Sequence, residues 1–503
     1  MRYRLKQEFQ DGNMTTLKRS LAGLLALLTL CMTFASCSSD TNNDTGNDTA
    51  SADTTAETTT AETTAPFPEP PVEDLDGYSF KVGQSDPSHA VVEKLIVIEE
   101  QTGDAVLDAI YERNKNVEER LNVKIEAVKV ESFNQLKNTI LAGDYFCDIA
   151  NAPASNAFPV LSENLFVDFA SIPTIDLSNP WWDQHAVEEL DIFGKTYMLT
   201  GDMLTTDEFH TVCLIYSVNL FEDFGYGSPY GMVKDSTWTL DKFLEMASEA
   251  AADVDGDGKM GETDRWGFTT ESAMFRWLAE SFGARTLVRS GNKFEYAIND
   301  ERFLAVTESI SRLATMTDVV TLADDGIITA STYGSVFYHM EALFAQDLAL
   351  FHSGTFDDLT RMRTYDADYG IVPLPKFNEA QDDYYHSVSW SGAQVFMPIT
   401  IKDTNTAGIV LENMGWESHF ILTPVFYDLF MSEKLSRDDE SKEMLDIIFS
   451  TKYYDLDDYI NLSGIRDIMT AIGKKKQNTF ASDWAAKEST ALANLAKFNE
   501  SMK

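Results

Sequence analysis

The chain is predicted to fold as an α/β protein with at least two lobes. Short alternating apolar and polar runs, such as residues 78–82 and 123–127, are typical of strands, and they alternate with helical stretches. Such alternation favours a mainly parallel sheet with helices on both faces. Roughly 430 residues follow the N-terminal region, which is more than one domain core usually holds.

The elements follow one another along the chain with recognisable signals. A helix is predicted to begin after Asp104, a good N-cap, and to place Ile110, Val117 and Leu121 on one face. Residues 147–150 and 349–352 are predicted to be short buried strands, and further helices are predicted at 136–141, 240–252, 274–282, 300–316 and 357–365.

The N-terminal region has the pattern of an export signal. Lys18 and Arg19 precede an apolar run over residues 21–34, which is too short for a confident membrane span. The next residues, Ala35, Ser36 and Cys37, resemble the lipid-attachment motif of bacterial lipoproteins. We therefore expect a signal peptide over 1–36, with Met14 as a possible true start, and a lipidated Cys37. An ordinary secretory signal cut elsewhere is the alternative.

Residues 37–73 are predicted to be a disordered tether. They are rich in Thr, Asp, Asn, Ala and Glu and contain almost no large apolar side chain before several prolines. Such a segment cannot bury enough surface to offset the entropy of ordering it. Together with the anchor, it predicts a protein held at the outer face of a bacterial cell membrane.

Charge and cysteine content exclude some partners. The formal net charge of −42 argues against nucleic acid, which such a chain would repel. Beyond the signal region, Cys147 and Cys213 lie in apolar runs, where buried free thiols are the default, although a disulfide between them stays open. We expect a monomer.

A calcium-type loop is the sharpest chemical motif. Asp253, Asp255, Asp257 and Asp264 stand at loop positions 1, 3, 5 and 12, with a glycine at position 6 for the turn. Lys259 would contribute its backbone carbonyl. Because a lone loop has no partner to open against, we interpret it as a structural Ca²⁺ site, with a solvated acidic turn as the alternative.

Enzyme signatures are missing from the sequence. The chain has no GxSxG, HExxH or CxxC motif, and its seven histidines show no metal-ligand spacing. The motifs therefore do not point to catalysis.

Several segments together resemble the extracellular solute-binding proteins of ABC transporters, especially carbohydrate-binding lipoproteins. The resemblance covers most of residues 75–500 and rests on the order of its motifs. These are Gly103-Asp104, Arg113-Asn114, Asp148-Ile149, the run 180–183, the run 194–197, the run 238–240 and the run 369–375.

The resemblance implies the type II fold of periplasmic binding proteins, with two lobes, a hinge and a central ligand cleft. Lobe 1 would comprise 74–207 and 377–448, and lobe 2 would comprise 208–376 and 449–503. The chain would cross between lobes near 205–210, 376–385 and 447–453, and the lobes would close by a hinge motion.

Ligand residues are expected where strands end at the cleft. Sugar sites combine aromatic rings with polar side chains, and the family pattern points to Gln84, Ser85, Asn151, Ser155, Thr270, Ser272, Trp277, Phe356, Trp390, Tyr459 and Asn461. Trp390 is the favoured ring, whereas Trp181, Trp182, Trp238 and Trp266 are assigned to packing.

The resemblance implies a lipid-anchored binding protein that delivers a carbohydrate, expected to be an oligosaccharide, to an ABC permease without bond chemistry. Two alternatives remain. One is a calcium-stabilised secreted polysaccharide hydrolase or lyase, and the other is a surface sensor or adhesin on the same fold.

Overall fold

A computed structural model of the chain describes residues 68–84, 95–330, 333–362, 364–431 and 439–502. The predicted signal peptide, Cys37, most of the predicted tether and Ser85 lie outside these ranges. Among the described residues, no helix combines the length and hydropathy needed to cross a membrane.

The first sheet, sheet A, has four strands in the order β2-β1-β3-β12. Its strands are β1 (Tyr78–Gln84), β2 (Val123–Lys129), β3 (Ile149–Pro153) and β12 (Ala393–Phe396). β1 runs parallel to both β2 and β3, with Tyr78 opposite Val123 and Gln84 opposite Lys129. β12 is antiparallel to β3.

The second sheet, sheet B, has five strands in the order β10-β4-β9-β5-β8. Its strands are β4 (Val212–Ser217), β5 (Trp266–Thr270), β8 (Val320–Leu322), β9 (Ala349–Thr355) and β10 (Tyr369–Val372). β5 is parallel to β8 and β9, whereas β4 is antiparallel to β9 and β10. The prediction of a mainly parallel sheet is therefore only partly right. The chain reaches β4 and β12 from the other sheet. The local alternation of strands and helices does not reveal whether such a strand will run parallel or antiparallel to its neighbours.

Two small strand pairs complete the sheets. β6 (Leu287–Arg289) and β7 (Phe294–Tyr296) form an antiparallel hairpin, and β11 (His386–Ser387) pairs in parallel with β13 (Lys452–Tyr453).

Helices cover the sheets. They are α1 (Ala105–Leu121), α2 (Phe133–Leu141), α3 (Ala154–Ala157), α4 (Gln184–Glu189), α5 (Thr206–Phe209), α6 (Val218–Phe224), α7 (Tyr230–Lys234), α8 (Leu240–Ala250), α9 (Met274–Ser281), α10 (Glu301–Thr315), α11 (Val336–Ala345), α12 (Phe356–Met362), α13 (Thr404–Met431), α14 (Asp439–Ser450), α15 (Leu456–Ile460), α16 (Ile465–Lys475) and α17 (Phe480–Ser501), with 3₁₀ turns at Phe158–Glu163 and Phe169–Ser171. The Asp104 carboxylate accepts hydrogen bonds from the backbone N–H groups of Val106 and Leu107, which confirms the predicted cap of α1.

Two large apolar clusters pack against each sheet. Trp181 and Trp182 are buried in one cluster of sheet A, and Trp238 and Trp266 are buried in the two clusters of sheet B, so the assignment of all four to packing is confirmed. The close approach of α13 to Trp181 requires a glycine, because a Cβ atom on Gly415 would lie 2.3 Å from the Trp181 Cδ1 atom. Cys147 and Cys213 are buried free thiols.

Three chain segments run side by side between the sheets. Thr211, ahead of β4, bridges to Val388 ahead of β12, and the backbone N–H of Val388 donates to the Tyr453 carbonyl (3.0 Å). Lys376 and Tyr384, which fall in the predicted second crossing, contact Thr239 and Val233 on the sheet B side. The lobe limits named above therefore remain a prediction.

A buried ion network ties the first and third of these segments together. The Nζ atom of Lys452 lies 2.6 Å from carboxylate oxygens of both Asp183 and Asp207, and 3.4 Å from one of Glu208. Asp183 also caps α4 and accepts a hydrogen bond from the Tyr454 hydroxyl. Breaking such a pair leaves an uncompensated buried charge, so the network holds the segments in register.

Candidate functional site

Trp390 lies where the two sheets approach each other. Its carbonyl accepts a hydrogen bond from the Ser155 N–H (3.1 Å), at the carboxyl end of β3. Its indole ring packs on Trp277 of α9, with ring centres 5.3 Å apart, and the Arg466 guanidinium carbon lies 4.6 Å from the ring centre. The ring is half-buried and packs against the cluster of sheet B that contains Trp238 and against the cluster of sheet A that contains Phe158 and Phe396. The structure thus brings together three of the predicted ligand residues, Ser155, Trp277 and Trp390.

A cavity opens at the carboxyl ends of β5 and β9. Its volume is about 370 Å³, and its lining residues are Thr270, Glu271, Ser335, Phe337, Tyr338, Met340, Glu341, His352, Ser353, Gly354, Asp358 and Arg361. We call it the lobe 2 pocket. It adjoins the first connecting segment, because the residue after β9 donates its backbone N–H to the Thr211 carbonyl.

Aromatic side chains and polar groups meet at the lobe 2 pocket. Phe337 and Tyr338, in the first turn of α11, are 48% and 45% exposed. At the strand ends, the hydroxyls of Thr270 and Ser353 are 2.6 Å apart. Rings beside hydrogen-bonding groups form the combination that suits a sugar, whose faces are apolar and whose edges carry hydroxyls.

The lobe 2 pocket is acidic. Arg361 donates from Nε to Glu341 (3.0 Å) and pairs with Asp358. Burial raises the pKa of Glu341 to about 7 against the effect of Arg361. Burial, followed by the charges of Asp358 and Asp324, raises the pKa of Glu271 to about 7. Burial lowers the pKa of His352 to about 4, so its imidazole is neutral at pH 7.

Other predicted ligand residues form hydrogen bonds within the protein or are buried in its interior. The Gln84 amide is buried and hydrogen-bonds to the backbone of Ile96 and Val97. Asn151 is buried within β3, opposite Val395 of β12. Ser272 hydrogen-bonds through both its N–H and its hydroxyl to Asp324, beyond the end of β8.

Two predicted ligand residues prove to be core residues. Phe356 is fully buried and packs on Phe449, with ring centres 4.8 Å apart. Tyr459 is 1% exposed and donates its hydroxyl hydrogen to the Val388 carbonyl. Neither ring has a face available to a ligand in this structure. Asn461 is half-buried and ends α15 in the left-handed conformation, at φ 56°.

The lobe 2 pocket also contains residues that the sequence did not point to: Phe337, Tyr338, Glu341, Asp358 and Arg361. The one available signal is the pair Phe337 and Tyr338, because adjacent helical residues cannot both face the same core. Arg361 and the carboxylates could not be recognised from the sequence, because they come together only through contacts between distant parts of the chain.

The predicted calcium loop connects α8 to β5. Carboxylate oxygens of Asp253, Asp255 and Asp257 lie within 4.8 Å of one another and are exposed to solvent. Asp264 differs, because its carboxylate accepts backbone hydrogen bonds from Val254 and Gly261, both at 2.7 Å. Three convergent carboxylates fit a hard cation. Asp264 holds the loop closed instead of joining that group, and Lys259 keeps its side chain in solvent.

Two sheets, three connecting segments and an aromatic-rimmed pocket at strand ends define a two-lobed α/β architecture. No protein-family model matches the chain, and no curated protein matches it. A solved cyclo/maltodextrin-binding protein, complexed with maltotetraose, matches with a TM-score of 0.53 and 14% identity, covering 84% of this chain and 96% of that one.

The GacH receptor of Streptomyces glaucescens, solved unliganded and with acarbose and an acarbose homologue, gives a TM-score of 0.49 and 12% identity, covering 85% of this chain and 98% of that one. The first match shows that this chain has the two-lobed α/β fold of sugar-binding solute-binding proteins. The predicted fold class is therefore confirmed.

Proposed function

We propose that this protein is the lipid-anchored substrate-binding component of an ABC importer, and that it captures an oligosaccharide by lobe closure. The observation that carries the proposal is the lobe 2 pocket, where the exposed rings of Phe337 and Tyr338 stand beside the hydroxyls of Thr270 and Ser353. The fold supports it, because a related fold holds maltotetraose in a solved structure. We propose that the chain binds its ligand without bond chemistry.

The lobe 2 pocket can be tested with a thermal-shift screen of neutral oligosaccharides on the full chain, since a ligand of the native state raises the melting temperature. For a hit, Tyr338→Ala is expected to weaken binding at least tenfold, because it removes a stacking ring. Phe420→Ala is the matched control, since that ring is 53% exposed on α13, which packs on α1 beside sheet A, and it does not line the pocket. A screen without a hit would reject the carbohydrate function.

Turnover distinguishes the proposed binding protein from the hydrolase or lyase alternative. The same oligosaccharides, incubated with the full chain, are expected to be recovered intact. New reducing ends or unsaturated products would replace the proposed importer role with an enzymatic one.

The proposed importer role also requires an anchor and a permease. Cys37 is the proposed attachment point, and the Cys37→Ala variant is expected to leave the membrane fraction for the soluble fraction. Retention of that variant in the membrane would contradict the lipid anchor.

We further propose that Asp253, Asp255 and Asp257 hold a structural Ca²⁺ ion. The proposal rests on three carboxylates that converge within one short loop. Backbone carbonyls of the loop, including that of Lys259, are available as further oxygen ligands.

A further inference from the structure

The lobe 2 pocket contains more hydrogen-bond acceptors than donors. Among its lining residues, Arg361 supplies the one positive charge, since His352 is neutral. The Arg361 guanidinium pairs with carboxylates of Glu341, Asp357 and Asp358, and it lies over the ring of Tyr338. The N–H donors of Arg361 therefore already point at carboxylates of the protein itself.

Two carboxylates of the lobe 2 pocket keep acceptor capacity. Glu341 is 2% exposed, and its Oε2 atom has no hydrogen-bond partner among the residues that the structure describes. The Glu271 carboxylate lies on the same pocket wall. Its interactions with the described residues are electrostatic only, with the charges of Asp358, Asp324 and Lys474. A buried acceptor without a donor is unfavourable, and more so when it is charged, so a ligand that brings donors and positive charge gains the most here.

A metal ion does not meet this requirement. Within the described ranges, the one trio of acidic groups whose oxygens lie within 4.8 Å of one another is Asp253, Asp255 and Asp257, in the calcium loop. Hard cations need several close oxygen ligands, which the lobe 2 pocket does not assemble. Its rim is instead aromatic, and an aromatic face attracts an organic ammonium group.

We propose that the lobe 2 pocket binds the protonated amine of an aminated oligosaccharide, with Glu271 and Glu341 as its acceptors and Phe337 and Tyr338 against the sugar rings. The inference rests on the proposed carbohydrate-binding function and names the class of sugar. Both carboxyl groups have pKa values raised to about 7, so part of each is protonated at pH 7. An incoming ammonium group favours the ionised forms, and its binding releases protons.

Isothermal titration of the full chain tests the inference with three tetrasaccharides: fully deacetylated chitotetraose, its N-acetylated counterpart and maltotetraose. The deacetylated sugar is expected to bind at least tenfold more tightly than the other two. Titrations at pH 5.5, where the amines of the sugar already carry their protons and the two carboxyl groups hold theirs, in two buffers of different ionisation enthalpy are expected to show proton release for that sugar and none for the neutral sugars.

Variants assign the amine preference to the lobe 2 pocket. Glu271→Gln and Glu341→Gln are each expected to weaken binding of the deacetylated sugar at least tenfold and to leave neutral sugars unaffected. Glu271→Gln keeps the Arg361 pairs intact, so it remains informative if Glu341→Gln folds poorly. Glu488→Gln, on the exposed face of α17, is the matched control and is expected to change nothing.

The outcomes separate the inference from the proposed function. Equal or tighter binding of the neutral tetrasaccharides would overturn the amine inference and leave carbohydrate binding standing. Binding of none of the three, together with an empty screen of other glycans, would overturn both.

Discussion

The indole rings of Trp277 and Trp390 pack together, with ring centres 5.3 Å apart and planes tilted by 40°. Trp277 belongs to α9, which follows β5 of sheet B, whereas the backbone of Trp390 hydrogen-bonds to Ser155 at the end of β3 in sheet A. A change in the angle between the sheets must therefore alter this contact. Trp390 thus packs between segments of both sheets, and its role in ligand binding stays a prediction.

Trp390→Ala is expected to lower the free energy of unfolding by about 2 kcal/mol, somewhat less than the cost of deleting a fully buried aromatic side chain. Trp390→Phe keeps a ring between Trp277 and Arg466 and is expected to lose much less. Urea denaturation followed by circular dichroism measures both. Wild-type stability of Trp390→Ala would show that the ring contributes no packing.

Glu412 is expected to be intolerant even of a conservative change. Its two carboxylate oxygens accept hydrogen bonds from the indole N–H groups of Trp181 (3.1 Å) and Trp182 (3.0 Å), the Asn179 amide and the Asp176 backbone N–H. Glu412→Gln turns an NH₂ group toward N–H donors and is expected to cost about 2 kcal/mol or more.

Glu417→Gln is the control for Glu412. Glu417 lies on the same helix, and its side chain accepts a hydrogen bond from Asn116 (3.1 Å). Thermal and urea denaturation should rank the Glu412 variant well below the Glu417 variant. Equal stability of the two would contradict the role of Glu412 as a shared acceptor.

Calcium removal is expected to lower the melting temperature, because an ion bound only by the native state stabilises it by about 2.7 kcal/mol at one hundred times its dissociation constant. Differential scanning fluorimetry with EDTA, followed by excess Ca²⁺ or Mg²⁺, measures the effect. Asp255→Asn should abolish the response. Asp223→Asn, an exposed site with the same charge change, should retain it.

Asp264→Asn separates the two roles within the loop. The Asp264 carboxylate accepts hydrogen bonds from the backbone N–H groups of Val254 and Gly261. Its replacement is therefore expected to lower the melting temperature both with and without Ca²⁺. If EDTA does not change the melting temperature of the wild-type protein, the loop is a solvated acidic turn and not a Ca²⁺ site.

The sequence was informative where structure depends on near neighbours. The Asp104 cap and the acidic loop at 253–257 each involve residues a few positions apart, so their spacing reveals their geometry. The directions of β4 and β12 depend instead on how the chain returns from the other sheet, and no local pattern records that route.

The ligand site shows the same limit more strongly. Thr270, Tyr338 and Arg361 meet in one pocket although long stretches of chain separate them. Phe356 stands directly after a strand end, where a ligand ring was expected, yet its backbone turns the ring toward Phe449 and into the core. Position relative to a strand end therefore points to the neighbourhood of the pocket but does not predict which side chains line it.

A buried ion network on α9 makes stability depend on pH. Arg276 pairs with Glu280 (2.8 Å), Asp455 (2.9 Å) and Asp458 (2.6 Å), so three carboxylates share one guanidinium. Burial raises the pKa of Glu280 well above its usual range, and the neighbouring acids act in the same direction. Burial, then Asp455, raises the pKa of Asp457 to about 7.

These shifts fix the sign of the pH dependence. A carboxyl group whose pKa is higher in the folded than in the unfolded state holds its proton more tightly when folded. Its contribution to stability is complete below its unfolded pKa, near 4, and is lost as pH rises through the folded pKa. His352 and His386 act oppositely, because burial lowers their pKa values to about 4 and about 3, but their effect is confined to pH below about 6.5.

Between pH 6.5 and 8.5 the free energy of unfolding is therefore expected to fall as pH rises. Glu280→Gln removes a carboxyl group whose pKa is raised by burial and puts a neutral group of similar shape in its place, so this variant should show a flatter decline. Asp457→Asn should flatten the decline near pH 7, whereas Glu488→Gln, exposed on α17, should leave it unchanged. Urea denaturation at half-unit pH steps measures the slopes. Two outcomes would contradict this prediction: a wild-type stability that rises over this range, or an identical slope in Glu280→Gln. Either would show that these buried carboxyl groups are already ionised in the folded protein at neutral pH. The reason is that only a proton held by the folded state makes stability decline as pH rises.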